Sequence, residues 1–211
     1  MAGIPHYKPL TLTRFGIELR RMTEAEKEIV RTGRNKDFVR NNHVYRKIIS
    51  VEQHEAWFHE VSSPLHYILV IHYHERDVGA IIVKDIDPET MNSTVGAFIW
   101  DEAFIGSKVP ILSILIALDF FYAIGIARME SIVLKSNTAA IKMNKFFGFE
   151  FTERDEESYK IAMDKNTYLR NGSHLIAFAC RACKNKEEQE LKIGGNKSPL
   201  NLPAINSLLP D

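Results

Sequence analysis

The chain has little with which to staple or anchor itself. Only two cysteines occur in 211 residues, Cys180 and Cys183, so no disulfide framework can carry the fold and a reducing, cytoplasmic setting is expected. A single Cys-x-x-Cys supplies two ligands where structural zinc takes four, and no metal is expected. Net charge is also missing. The 27 basic residues face 27 acidic ones, which argues against bulk nucleic-acid binding. Long hydrophobic runs are absent too: the longest, Val109 to Ile124, is broken by Pro110, Ser113 and Asp119 and reads as a buried helix, not a membrane span. Met1 to Pro9 holds two prolines and no apolar core, so it does not read as a secretory leader.

What is present suits one sizeable core. Hydrophobic residues make up 45% of the chain, enough for a single main domain. The neutral total hides an asymmetry. Residues 1–47 carry eleven Lys and Arg against five acids, and residues 48–164 carry nine against eighteen. A basic N-terminal segment beside an acidic body can receive an anionic ligand, although solvated helix faces give the same count.

Residues 1–15 read as a loose arm, with a first strand beginning at Ile17. Thr23 followed by Glu24 and Glu26 starts a helix, Arg34 to Arg40 a second after Gly33, and Ser50-Val-Glu-Gln53 has capping-box spacing for a third. Three runs rich in β-branched and aromatic residues, Tyr67 to Tyr73, Val78 to Lys84 and Thr94 to Trp100, predict an antiparallel meander, with Glu75-Arg-Asp77 as its first connection. A helix from Pro110, a strand Met129 to Leu134, a helix Thr138 to Phe147 and two closing strands complete an α+β domain over residues 16–165. From 166 to 211, glycines, a charged run and three prolines read as a partly ordered tail.

The run Asn137-Thr-Ala-Ala-Ile-Lys-Met-Asn-Lys-Phe-Phe-Gly-Phe149, placed after a strand and a central helix, resembles the acetyl-CoA-binding half of the GNAT N-acetyltransferases. The order of elements over about 16–165 is also similar to that family. The resemblance implies a central, mixed but mostly antiparallel sheet flanked by helices, and acetyl-CoA as co-substrate. In the family a turn of the form Gln/Arg-x-x-Gly-x-Gly/Ala offers backbone N–H groups to the pyrophosphate, where small residues and a helix N-terminus favour an anion. Here the stretch is Ile105-Gly106-Ser107-Lys108-Val109-Pro110, with Lys108 and Pro110 at the two small positions. Pro110 removes a donor, so Lys108 is expected to neutralise the pyrophosphate while Gly106, Ser107 and Val109 supply a shifted turn. The resemblance further implies that Asn137, Ala140 and Lys145 line the coenzyme and that an amide near Ile99 and Trp100 polarises the thioester. Asn137 also reads as a plain helix N-cap, and Gly148 as a C-cap. At position 144 relatives carry a tyrosine that protonates the leaving thiolate. Asn144 can donate a hydrogen bond to sulfur but is no proton source, so either water, Ser107 or Tyr122 substitutes, or the thiolate departs without a dedicated acid.

The expected reaction is direct attack of an amine on the thioester, with Glu102 or its neighbour Asp101, or else His54, as base. On the N-terminal side, Arg34-Asn35, Arg40 and His54-x-x-Trp57 resemble the subgroup acting on amino sugars carried on nucleotides. That makes Arg34, Asn35, Arg40, Arg46 and Trp57 the candidate acceptor contacts and a nucleotide-linked amino sugar the expected small-molecule partner, with a homodimer allowed and neither nucleic acid nor membrane involved. Two alternatives stand beside it: acetylation of ribosomal-protein N-termini, and a catalytically degenerate interaction module.

Overall fold

The computed structural model describes residues 9–183 and 185–194. Its centre is a nine-stranded sheet in the order β7-β8-β6-β5-β4-β3-β2-β1-β9. The strands β3 (Tyr67–Tyr73), β4 (Arg76–Lys84) and β5 (Asn92–Ile99) form the expected meander, each antiparallel to the next. The turn between β3 and β4 falls at His74 and Glu75, not at Glu75 to Asp77. Both residues take positive φ, 48° and 60°, which matches the twist of a two-residue hairpin.

The N-terminal arm is in part a strand. β1 (Thr11–Arg14) pairs antiparallel with β2 (Ile17–Arg21), and its side chains alternate between buried and half-buried. Residues 1–8 lie outside the described residues. Three helices cover one face of the sheet: α1 (Lys27–Asn35), the single turn α2 (Asp37–Arg40) and α3 (Val51–Val61). Thr23 and Glu26 make a turn ahead of α1 through Thr23 N–H and Oγ1 to the Glu26 carboxylate, so the helix starts later than Thr23. At α3 both halves of the capping box are formed, Ser50 to Gln53 and back. This side has its own core, with Met22, Val30, Val39, Phe58, Phe98 and Trp100 buried together.

The opposite face is packed by α4 (Val109–Ala123), whose buried residues run around the cylinder as expected for a covered helix. Beside it lie α5 (Thr138–Phe147) and α6 (Lys165–Ala182). α6 departs from the expected tail. Asp164 caps it by accepting from Thr167 N–H at 2.7 Å, and Tyr168, Leu175 and Ala179 fall on one buried stripe against the main core. The stripe is sparse and diluted by Asn171, Gly172 and Ser173, which conceals it from a reading of composition. Past the helix, β9 (Lys192–Gly194) adds to β1. The prolines expected in the tail lie outside the described residues.

The second half adds β6 (Arg128–Leu134), β7 (Glu150–Glu153) and β8 (Ser158–Asp164). β6 pairs along its whole length with β8 but meets β5 only over Asn92–Thr94, in parallel with Arg128–Glu130. Beyond Thr94 the two strands diverge, since β5 stays paired to β4 as far as Ile99. This split in mid-sheet positions the site.

Candidate functional site

The opening between β5 and β6 is the floor of a cavity of about 850 Å³. Its walls are Val95 to Ile99 of β5, Ser131 to Leu134 of β6, Gly106, Ser107 and Pro110 before and within α4, Asn137, Ala140 and Asn144 at and along α5, and Arg34, Phe38 and His43 from the helical side. Phe178 of α6 reaches it as well. A second recess of about 330 Å³, sharing Val44 and Leu134, adjoins it and holds Arg46, Arg154 and the carboxylates Asp155 to Glu157.

Backbone geometry supplies the donors. Trp100 N–H donates to Val78 O at 2.9 Å, on the β4 side. Directions alternate along an antiparallel strand, so the amides of Ala97 and Ile99 point the other way, across the split, where no strand meets them. Gly96 directly precedes Ala97, and a Cβ there would touch nothing within 4 Å, so a ligand can come close to the strand. At the start of α4, Gly106 takes φ +77° with open space where a side chain would stand. Among the described residues the amides of Gly106, Lys108 and Ile111 find no intramolecular acceptor. Three free N–H groups at a helix N-terminus suit a phosphate, and the two β5 amides suit a polarised carbonyl oxygen. The chain therefore fits a phosphorylated thioester threaded through the split.

The residues expected from sequence divide. Ile99, Gly106, Ser107, Asn137, Ala140, Asn144 and Arg34 all line the cavity. Asn137 caps α5, accepting from Ala140 N–H at 3.0 Å, and Asn144 donates to Ala140 O at 2.9 Å. Ser107 Oγ donates to Phe104 O and accepts from Val109 N–H. The others stand elsewhere. Lys108 reaches back to α6, donating to Ala182 O at 2.7 Å, and not toward a pyrophosphate. Val109 is buried in the core, and Lys145 sits over the Phe151 ring. Trp100 is buried among the helices, its indole N–H on Asp77 O at 2.7 Å. Asn35 has both ends of its amide on the backbone of Ile49. Trp57 packs beside His54, whose ring is buried with Nε2 on Lys27 O at 2.9 Å. Burial pushes its pKa down. Glu102 is exposed in a 3-10 turn off the wall, and Asp101 is held by Arg76 and Ala103 N–H. Arg40 is bound to Asp37 and Arg46 O, and Arg46 lies 3.4 Å from Glu157 in the outer recess. Tyr122 donates to Met163 O inside the core, and burial drives its pKa up, so it cannot reach the cavity.

Two polar groups on the wall bear on the chemistry. Arg34 donates from Nη2 to Tyr45 O at 2.9 Å, while its buried Nη1 has no partner. His43, absent from the sequence reading, presents its ring edge-on to Phe98 with centroids 5.7 Å apart. No local signal marks it, because it lies in an irregular stretch after α2 that only the fold folds back over β5. Burial, and secondarily the nearby Arg34 guanidinium, push its pKa down from 6.5 to about 4. An unfolded chain would take up this proton at higher pH. The contribution to stability is thus complete above pH 6.5 and lost as pH falls toward 4, by about 2–3 kcal/mol. Denaturation at pH 7 and pH 4.5 should show this loss, and His43→Asn should reduce the difference. An equal pH slope in the variant would contradict it.

Comparison with known proteins gives one family match: the model described as an acetyltransferase (GNAT) domain fits residues 21–168. No curated protein matches in sequence. Solved structures share the fold at low identity. A GCN5-related N-acetyltransferase from Brucella melitensis is similar at TM-score 0.66 and 11% identity, over 88% of this chain and 95% of that one. Spermidine N-acetyltransferase from Vibrio cholerae, in complex with CoA and spermine, gives TM-score 0.64 and 13% identity over 73% and 98%. RimL, a ribosomal L7/L12 alpha-N-protein acetyltransferase in complex with coenzyme A, gives 0.59 and 16% over 71% and 94%.

Proposed function

Since the chain belongs to the GNAT family and is an acetyl-CoA-dependent N-acetyltransferase, we propose that its acceptor is an amine carried on an anionic small molecule, a nucleotide-linked amino sugar. The observation that carries this reading is the charge of the wall. Arg34 and Lys142 line the cavity and, among the described residues, no Asp or Glu does. A polyamine would meet repulsion there, whereas a phosphate or carboxylate can take the spare Nη1 of Arg34 in a charge-assisted hydrogen bond.

Size and surface support the same reading. The outer recess, where Arg46 and Arg154 pair with Glu157 and Asp155, adjoins the cavity and leaves room for a carrier beyond the amine. Tyr45, 46% exposed at the mouth, offers an aromatic face to a base. Acetyl-CoA supplies the activated acyl group, and the chain supplies the amides of Ala97 and Ile99 for the carbonyl oxygen and those before and within the first turn of α4 for the pyrophosphate.

The test is coenzyme A thiol release with acetyl-CoA and a panel of UDP- and dTDP-linked amino sugars, polyamines and N-terminal peptides. Turnover is expected on nucleotide sugars, with kcat/KM lowered roughly 10- to 100-fold in Arg34→Ala, the worth of one hydrogen bond to a charged group. Turnover confined to peptides or polyamines would replace this acceptor. Absence of any thermal stabilisation by acetyl-CoA would remove the enzyme reading itself.

A further inference from the structure

Acyl transfer to an amine releases one proton, and the ionisable side chains first expected to handle it are out of position. Glu102 is exposed away from the wall, His54 is tied to Lys27 O, and Tyr122 is buried against Met163 O. Asn144 is on the wall but does not ionise. Among the described residues, the ionisable ones that line the cavity are Arg34, His43, Tyr45 and Lys142. Arginine, lysine and tyrosine as classes hold their protons at neutral pH. We propose that His43 is the catalytic base of the transfer, taking the proton from the acceptor nitrogen and delivering it to the departing sulfur. This rests on the acetyltransferase reading above.

The geometry places the ring suitably. His43 N–H donates to Arg40 O at 3.1 Å, which fixes its backbone at the end of α2. Its ring lies against Phe98, the residue between the two amides that open across the split. Among the described residues its ring nitrogens have no hydrogen-bond partner, so one lone pair is available toward the cavity. The charged side chains on the wall around it are Arg34 of α1 and Lys142 of α5, with no carboxylate among the described lining residues. Burial and Arg34 keep the ring neutral in the free protein. An anionic acceptor seated on Arg34 offsets that repulsion and makes the ring more basic when there is a proton to take.

The step balances. The amine lone pair forms the C–N bond while the carbonyl π pair moves to oxygen, held by the β5 amides. The nitrogen then loses its proton to the imidazole. As the C=O bond re-forms, the C–S bond breaks with its electron pair on sulfur. The imidazolium returns the proton to sulfur, directly or through one water, giving the thiol and neutral His43.

The experiment compares the 211-residue chain with His43→Gln and His43→Ala in the thiol-release assay. In His43→Gln kcat/KM should fall about 10²- to 10⁴-fold, the usual worth of a general base, with the loss in kcat and the thermal shift by acetyl-CoA unchanged. The acid limb of the parent's pH–rate profile should vanish, and added imidazole should restore part of the rate of His43→Ala. Equal turnover by parent and His43→Gln, or a loss confined to KM without imidazole rescue, would overturn the role while leaving the acetyltransferase reading intact. No thiol release by the parent with any amine would remove both.

Discussion

Asp119→Ala is expected to cost about 3–5 kcal/mol of folding stability, the range for removing one partner of a buried ion pair. Asp119 on α4 pairs with Arg14 of β1, whose side chain is 2% exposed, and also accepts from the Tyr168 hydroxyl of α6. Arg14 Nε donates to Gln189 O at 2.6 Å. One carboxylate thus joins the first strand, the central helix, the last helix and the segment leading to β9. Its loss leaves a guanidinium in the core with one backbone partner. Removing the charges together should cost much less, because the desolvation penalty disappears with them. Urea denaturation of Asp119→Ala and of Arg14→Met/Asp119→Leu/Tyr168→Phe separates the two cases. A cost under about 1 kcal/mol for Asp119→Ala would mean that Arg14 finds water or another acceptor.

Gly33→Ala should also destabilise, although alanine is the better helix residue by about 1 kcal/mol. A Cβ at Gly33 would stand 2.6 Å from Cδ2 of Trp100. Trp100 cannot easily yield, since it is buried and its indole N–H is fixed on Asp77 O at 2.7 Å. Overpacking of this kind costs about 1–3 kcal/mol, which exceeds the gain in propensity. Gly33→Val should cost more. Trp100 directly follows Ile99, whose amide faces the split, so turnover should fall with stability. A chemical-denaturation midpoint higher than the parent's in Gly33→Ala would show that helix and strand can part at no cost.

Much of this architecture is legible locally. The capping box at Ser50, the β-branched meander and the largely apolar helix from Val109 each carry their own signal. So does the run from Asn137 to Phe149, which placed Asn137, Ala140 and Asn144 on the cavity. The rest depends on distant contacts. β1 is four residues long and is defined by partners at Ile17–Arg20 and Lys192–Gly194. α6 hides its buried stripe among polar residues, and Lys108 could point to a phosphate or to a helix end until α6 is in place to offer Ala182 O. His43 is the extreme case. Its neighbours Arg40 and Arg46 suggest an anion contact but no base, and only the return of the chain over Phe98 gives the ring a cavity to face.

The sheet's two rims bear on how the molecule keeps to itself. β9 has three residues and β7 four, and the exposed Lys192, Glu150 and Glu153 set charges along them. Short, charged rims give another chain little to add a strand to, which protects a nine-stranded sheet from edge-to-edge aggregation. The backbone's unused capacity for pairing is kept along β5, where it faces the cavity and not the rim.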